Sequence, residues 1–345
     1  KTIRHDCDEL ARFRRITDQF EFRKELVLNE VKDNAIPLEK IRIVIGRGGL
    51  VKPILSGVYE VNDAMIRDLK EGILGEHASN LGGLIAIDIA REFPDARAYI
   101  ADPVVVDELQ DVARLSGHPA IKRRSIFHAL NQKSTARTYA QSCGMDYHEL
   151  NLIIAHLGGG ISVGAHKKGR VIDVNNALDG DGPFTPERSG SLPLRSLVDL
   201  CHTEGYSYDD LRSMITGKGG LMAYMGFNDA HKLEIMARQG NKKARLIQEA
   251  MAYQISKEIG AMAAVLAGEV HAIILTGGIA HNPDLTGYIK EHVSFIAQVF
   301  IYPGEDEMRA LAMNGNLILK ERIQPMEYRE ENFVKGIDLD EPEEA

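Results

Sequence analysis

The chain is short of positive charge, of cysteine and of long apolar runs, and each shortage removes a class of function. Among 345 residues, 41 Lys and Arg stand against 50 Asp and Glu, a formal charge of −9. Nucleic acid rewards a basic surface, so an acidic chain is a poor candidate for that partner and none is expected. The three cysteines, Cys7, Cys143 and Cys201, are odd in number and far apart, which makes neither a disulfide framework nor a zinc-ligand spacing. No apolar run approaches the ~18 residues that span a bilayer, so a membrane partner is not expected. Lys1 to Glu9 are polar and charged, unlike a secretory signal, and there is no initiating Met. What remains, 44% apolar and 26% charged residues, is globular composition. At ~150 residues per domain the length predicts two domains in a soluble, cytoplasmic protein.

The second half reads as strand, strand, strand, helix, strand, helix, strand, helix. Leu152–Ala155, Ile161–Ala165 and Arg170–Val174 are the first strands, with Gly158-Gly159-Gly160 and Lys167-Lys168-Gly169 as turns. A loop rich in Asp, Gly and Pro runs from Asp179 to Pro186, and helices are expected over 192–203 and 208–216. Between Arg245 and Ala267, Met251, Ile255, Ile259, Met262 and Leu266 follow at steps of four, four, three and four. That is the stripe of a long amphipathic helix, facing either the core or another subunit. Strand His271–Leu275, helix Pro283–Val293, strand Val299–Tyr302 and helix Asp306–Glu321 complete the half.

The first half repeats this order without its opening hairpin. A strand end at Thr2–His5, a helix over Asp18–Val31 and a strand over Ile41–Ile45 come first. Helices near 63–71 and 79–92 and a strand Ala98–Ala101 ending at Asp102 follow. Two strands with their turns need roughly 15–25 residues, so an N-terminal truncation of about that size is expected. The predicted fold class is α/β, with two duplicated domains over 1–126 and 127–328 and an acidic tail over 329–345.

Several strand ends carry residues suited to phosphate. His156-Leu-Gly-Gly-Gly-Ile-Ser162 is glycine-rich but leads into a strand, so it is neither a dinucleotide loop nor a Walker A loop, both of which lead into a helix. A glycine hairpin can still aim several N–H groups at one anion; it can also be a tight turn that needs glycine for positive φ. Thr276-Gly-Gly-Ile-Ala-His-Asn282 ends a buried strand and opens a helix with Asn282 as cap and Pro283 at its first position. This is good capping chemistry alone, and also a cradle for a nucleotide. Arg47, in Gly46-Arg-Gly-Gly49, is an anion ligand or a solvated turn residue. Asp102, before Pro103, can hold magnesium, accept a proton or cap a turn. Arg188, in an irregular glycine- and proline-rich stretch, offers a fixed fork of donors as an anion clamp. His77 and His128 sit among small polar residues and are structural or functional.

Taken together, these strings resemble the acetokinase family, of the acetate kinase/Hsp70/actin superfold, and within it the butyrate kinases. The likeness rests on Gly46-Arg-Gly-Gly-Leu-Val-Lys-Pro53, His77-Ala-Ser-Asn-Leu-Gly-Gly83, Ala101-Asp-Pro-Val-Val-Val-Asp-Glu-Leu109 and Ser125-Ile-Phe-His-Ala-Leu-Asn131. It continues through His156-Leu-Gly-Gly-Gly160, Gly182-Pro-Phe-Thr-Pro-Glu-Arg-Ser-Gly190 and Leu275-Thr-Gly-Gly-Ile-Ala280, in uninterrupted order to about residue 325. The resemblance implies two actin-like (ribonuclease H-like) domains around a nucleotide cleft. It implies reversible transfer of the ATP γ-phosphoryl group to a short-chain carboxylate, giving acyl phosphate and ADP. By motif, Asp102 would be the essential carboxylate, and Arg188 and His128 would contact the phosphoryl group. His156, Gly158, Gly159 and Gly160 would form a phosphate loop, and Gly277, Gly278 and Ile279 the adenosine site. Glu307, or Glu305 by an alternative alignment, would be linked to Mg²⁺. Arg47, His77, Val51 and Pro53 would stand near the acid substrate. An even-numbered homo-oligomer is expected.

The chain departs from the family twice. The family's opening strand and Asn-Pro-Gly-Ser-Thr-Ser-Thr-Lys-like loop have no counterpart here, and acetate kinases carry His-Gly-Gly where Arg47 stands. The implied chemistry is simple in its demands. A carboxylate with a pKa of ~4–5 is already ionised at neutral pH and needs no general base. The obstacle is repulsion between two anions, which cations and N–H donors around a loose, in-line transition state relieve. A sugar kinase of the same superfold would instead need an aspartate base, and an actin-like scaffold would bind nucleotide without transfer.

Overall fold

The computed structural model describes residues 15–336 except 94 and 204, and residues 3, 9, 10, 12 and 13 before them. Thr2, Arg4 and His5 of the expected strand end, Cys7, and the tail beyond Gly336 lie outside the described residues. In chain order the early elements are α1 (Phe20–Asp33), β1 (Ile43–Arg47), β2 (Val58–Glu60), α2 (Asp63–Glu71), α3 (Asn80–Arg91), β3 (Arg97–Ala101) and α4 (Asp111–Arg114). Next come α5 (Ala129–Ser142), β4 (Asn151–Leu157), β5 (Ile161–Lys167), β6 (Arg170–Val174), α6 (Leu194–Thr203), α7 (Tyr208–Ile215), α8 (Gly220–Met225) and α9 (Ala230–Arg238). The last are α10 (Lys242–Val265), β7 (Ala272–Gly277), α11 (Pro283–Val293), β8 (Val299–Pro303), α12 (Glu307–Leu319) and β9 (Met326–Glu327).

These elements form two units, residues 1–106 with 307–335, and residues 107–306 with 336–345. The division lies earlier than the expected boundary after residue 126 because residues 107–126 are anchored to the second unit. Glu108 accepts from Lys133 Nζ at 2.6 Å and from the Val171 N–H at 2.7 Å, and the Gln110 N–H donates to the Ile172 carbonyl. Conversely, 307–335 belongs to the first unit and not to the second half or to a frayed tail. Gly315 of α12 lies against Ile43 and Ile45 of β1, and β9 pairs with β2. The Tyr328 hydroxyl donates to Asp68 at 2.6 Å and accepts from the Lys52 N–H.

The first unit carries a four-stranded sheet of order β1-β3-β2-β9, with β1 and β3 parallel and β2 antiparallel to β3. Two close backbone crossings press α3 onto β1. A Cβ on Gly46 would meet the Gly82 carbonyl, and one on Gly82 would meet the Arg47 carbonyl. The neighbouring α2 shows how local chemistry sets an element. Asn62 caps it by accepting from the Met65 N–H, Met65 and Leu69 are buried one turn apart, and Gly72 ends it at φ 65°.

The second unit carries a five-stranded sheet of order β6-β5-β4-β7-β8; the first three strands are antiparallel, and β4, β7 and β8 run parallel. Residues of β4 alternate between two cores. Ile153, Ala155 and Leu157 join Met251, Ile255, Ile259 and Met262 of α10 in one, so the long helix's stripe is core. Leu152 and Ile154 join Ala136, Tyr139 and Ala140 of α5 in the other. Helix α5 has no simple apolar stripe, because Asn131, Gln132, Lys133 and Thr135 are buried with its alanines. That is why periodicity does not reveal it. Strands β2 and β9, of three and two residues, are too short to read in advance.

Among the described residues no helix is long and apolar enough to cross a membrane.

Candidate active site

The glycine turn joins β4, buried throughout, to β5, buried in all but its last residue, Lys167. Leu157 pairs with Ile161, and the Gly158 N–H donates to the Gly160 carbonyl at 3.0 Å. None of Gly158, Gly159 and Gly160 has positive φ. Crowding excludes side chains at Gly158 and Gly160 instead, whereas a Cβ on Gly159 would meet nothing nearer than Glu187 Oε1 at 4.0 Å. A Cβ on Gly160 would run into Arg188 Nη1 and stand 3.2 Å from His128 Cε1. A Cβ on Gly158 would stand 2.9 Å from His156 Nε2 and 3.1 Å from Glu305 Oε1. The family residues of this unit therefore converge on a patch of bare backbone.

His156, fully buried on β4, sits opposite Ser162 of β5 and Thr276 of β7. Its Nδ1 is 2.8 Å from Asn131 Oδ1, and its Nε2 is 3.1 Å from Glu305 Oε1, a contact that becomes an ion pair when the ring is protonated. His128, the N-cap residue of α5, lies flat on His156 with ring centroids 3.8 Å apart. Its Nδ1 is 2.9 Å from Ser162 Oγ.

Arg188 is held from several sides. Its N–H donates to Thr185 Oγ1 at 3.0 Å, while that hydroxyl donates to the Gly159 carbonyl at 2.7 Å. Arg188 Nη1 donates to the Ala177 carbonyl, whereas its Nε is buried with no hydrogen-bond partner among the described residues. Burial lowers the guanidinium pKa, and Glu187 and Asp179 act in the opposite direction. A buried donor left without a partner beside a glycine turn is suited to an anionic ligand.

The second glycine loop completes this side. Gly277 takes φ 90°, and a Cβ there would strike the Leu157 carbonyl, so only glycine lets β7 approach the end of β4 so closely. Asn282 caps α11 as expected, accepting from the Asp284 and Leu285 N–H groups with Pro283 at the first position. Its amide also donates to Gln248 of α10 at 3.1 Å, tying the loop to the long helix. Between the two loops is a cavity of about 500 Å³ lined by Gly158, Gly159, Gly278, Ile279, Asn282 and Glu305 together with residues of 186–187 and 228–234. That volume suits a small organic ligand.

The other predicted residues belong to the first unit. Asp102 follows β3 at φ 38°, a left-handed conformation that Asp tolerates at a cost. It is buried, and its Oδ1 accepts from the Ser56 hydroxyl at 2.6 Å and the Gly57 N–H at 2.9 Å. Arg47 ends β1 and pairs with Glu307 at 3.2 Å. Val51 is wholly buried, while the Pro53 carbonyl accepts from the Val334 N–H. His77 Nδ1 is 2.8 Å from Ser79 Oγ.

Three supporting residues lie within the motif strings, but those strings give them no role. Asn131 orients His156, Ser162 meets His128, and Thr185 joins Arg188 to the glycine turn. The alternation Ser162, Gly164, His166 along β5 points to Ser162, since it places polar or bare positions on one buried face; no such signal marks Asn131 or Thr185.

Two sheets of this mixed topology, with glycine loops at the ends of parallel strands, define an actin-like ATPase fold. Solved structures agree. Acetate kinase of Porphyromonas gingivalis superposes with a TM-score of 0.74 at 22% identity, covering 85% of this chain and 84% of that one. Propionate kinase of Francisella tularensis gives 0.72 at 19% identity, covering 85% and 83%. Residues 116–299 match the model of the acetokinase family. Butyrate kinase 2 of Clostridium acetobutylicum is 53% identical over 329 residues, 95% of this chain and 92% of the relative. The chain belongs to the acetokinase family.

Proposed function

We propose that this protein is a butyrate kinase, transferring the γ-phosphoryl group of ATP to butyrate or a related short- or branched-chain carboxylate by direct in-line transfer and releasing acyl phosphate and ADP. Membership in a family of carboxylate kinases, with a butyrate kinase at 53% identity, supports the reaction class. One geometric observation supports the site: the Arg188 guanidinium and the His128 ring both face the bare backbone of Gly160.

In this reading the cavity between the glycine loops receives the nucleotide. The Gly159 and Gly160 N–H groups, on a turn whose Gly158 N–H is held by the Gly160 carbonyl, and the Arg188 fork meet its phosphates, and Gly277, Gly278 and Ile279 meet adenosine. The acid needs no base; the task is to neutralise the charge that accumulates on the transferring group. Arg188 supplies a fixed cation, and His128 supplies a ring N–H. In the first unit Asp102 is the essential carboxylate, with Arg47, His77, Val51 and Pro53 assigned to the acid substrate.

Among the described residues no cluster of three or more His, Cys, Asp or Glu could cage a metal ion. Mg²⁺ does not require one, since it keeps several waters and binds through one or two carboxylates plus substrate phosphates. Asp102 and Glu307, with Glu305 as the alternative, are hard oxygen donors that fit this mode. Bound there, Mg²⁺ would neutralise phosphate charge. We further assign the protein to the cytoplasm and to an even-numbered homo-oligomer; the exposed Leu194 and Val198 of α6 are apolar surface available for assembly.

Specificity is tested by ADP release across straight and branched C2 to C6 acids, with glucose as control. The highest kcat/KM should fall on butyrate or a branched neighbour. Preference for acetate, or activity on glucose alone, would overturn the assignment.

A further inference from the structure

Behind His128 runs a buried chain of hydrogen bonds that none of the phosphate chemistry above uses. Ser162, Gly164 and His166 alternate on one face of β5, and Gln132, one helical turn beyond His128 on α5, lies across them. Gln132 Oε1 occupies the space that a Cβ on Gly164 would need. Tyr147 OH is 2.7 Å from His166 Nδ1, His166 Nε2 is 2.9 Å from Gln132 Oε1, and Gln132 Nε2 is 2.9 Å from Ser162 Oγ. Ser162 Oγ then reaches His128 Nδ1 at 2.9 Å. Gln132, His166 and Ser162 are fully buried.

The direction of the central bonds in this chain follows from one atom. The Ser162 carbonyl can only accept, and it lies 3.0 Å from Gln132 Nε2, so the amide points its NH₂ at Ser162 and its oxygen at His166. His166 Nε2 must therefore carry a hydrogen. Burial, aided by Lys133 and Arg137, pushes the His166 pKa well down, so the ring is neutral and its Nδ1 accepts from Tyr147. At the other end, Ser162 Oγ accepts from the Gln132 NH₂ and, at 3.4 Å, from the His128 backbone N–H. With both lone pairs engaged, the Ser162 hydroxyl hydrogen is directed to His128 Nδ1.

We propose that Tyr147, His166, Gln132 and Ser162 are positioning residues that hold neutral His128 in the tautomer protonated on Nε2. The ring then presents an N–H, and not a lone pair, from the Cε1 edge that faces Gly160. The stack on His156 fixes its plane. A lone pair there would repel phosphoryl oxygens; an N–H attracts them. The catalytic consequence rests on the role given to His128 above, whereas the tautomer does not.

The test is a long-range ¹H–¹⁵N spectrum of the full chain labelled in histidine, at mildly alkaline pH, with His128 assigned by its loss in His128→Gln. The expected pattern is an unprotonated Nδ1 and a protonated Nε2. Protonation at Nδ1, or a tautomer mixture, would overturn the relay without touching the phosphoryl-transfer reading. Ser162→Ala should then lower kcat roughly tenfold, the worth of one hydrogen bond, with KM for ATP little changed. Ser162→Thr should recover most of it. Unchanged kcat in Ser162→Ala beside the expected spectrum would remove His128 from the phosphoryl contact and with it the catalytic purpose of the relay.

Discussion

His128 and His156 stack with ring centroids 3.8 Å apart and planes 13° apart, one at the start of α5 and the other near the end of β4. The pair closes one side of the glycine turn, and Arg188 closes another. This arrangement leaves charge and donors facing backbone that carries no side chain, and its consequences can be measured.

Arg188→Ala should reduce kcat by 10²–10³, the ~3–4 kcal/mol typical of one lost transition-state donor, while ATP affinity changes much less. Arg188→Lys should stay impaired, because a single ammonium cannot both bond the Ala177 carbonyl and present a fork. Steady-state kinetics with a separate ATP titration reads both. Near-normal turnover in Arg188→Ala would remove the arginine from the chemistry.

Gly160→Ala tests crowding at the turn. The φ there is not positive, so alanine meets no left-handed strain, and the atoms nearest the added methyl belong to Arg188 and His128. Thermal unfolding should shift little while kcat drops at least tenfold, as expected for small displacements of positioned groups. Unchanged kcat would show that the two side chains do not need their present positions.

Stability should carry a pH signature from Glu258. Burial, reinforced by Asp181 and Asp173, raises its pKa from the ordinary 4.5 to about 7. Between those values the folded protein holds a proton that the unfolded chain has released. Stability from this group is thus present at the acid end, falls as pH rises through the window, and levels off above it. Glu258→Gln should therefore be more stable than the parent at pH 8, by roughly 1–3 kcal/mol, and about equal near pH 4.5. Urea denaturation across the range reads the difference; a constant offset would contradict it.

Lys133 and Glu108 form an ion pair that is almost wholly buried, at 2.6 Å, with the Gly169 carbonyl and the Val171 N–H as further partners. Removing the cation alone, in Lys133→Ala, should cost about 3–5 kcal/mol because Glu108 stays behind as a buried charge. Combining Lys133→Met with Glu108→Gln should recover much of that. Denaturant midpoints of the single and double variants decide it.

Much of the second unit was legible because its signals are local. Asn282 and Pro283 mark the start of α11 to the residue, and Met251 to Met262 mark the buried face of α10. Local patterns do not show what distant segments supply. Helix α5 buries amide and ammonium groups whose partners lie on other strands, so its sequence looks polar. Strand β9 exists only because it finds β2 more than two hundred residues away. The glycines were recognisable as a turn, but the reason for them was not. Positive φ is a property of the turn itself, whereas the crowding seen at Gly160 comes from Arg188 and His128, which arrive from elsewhere in the chain.

Trapping with hydroxylamine reads the proposed reaction most directly. With ATP, Mg²⁺ and butyrate, each ADP released should be matched by one butyryl hydroxamate, since only an acyl phosphate reacts in this way. ADP released without hydroxamate would mean that the phosphoryl group does not go to the carboxylate.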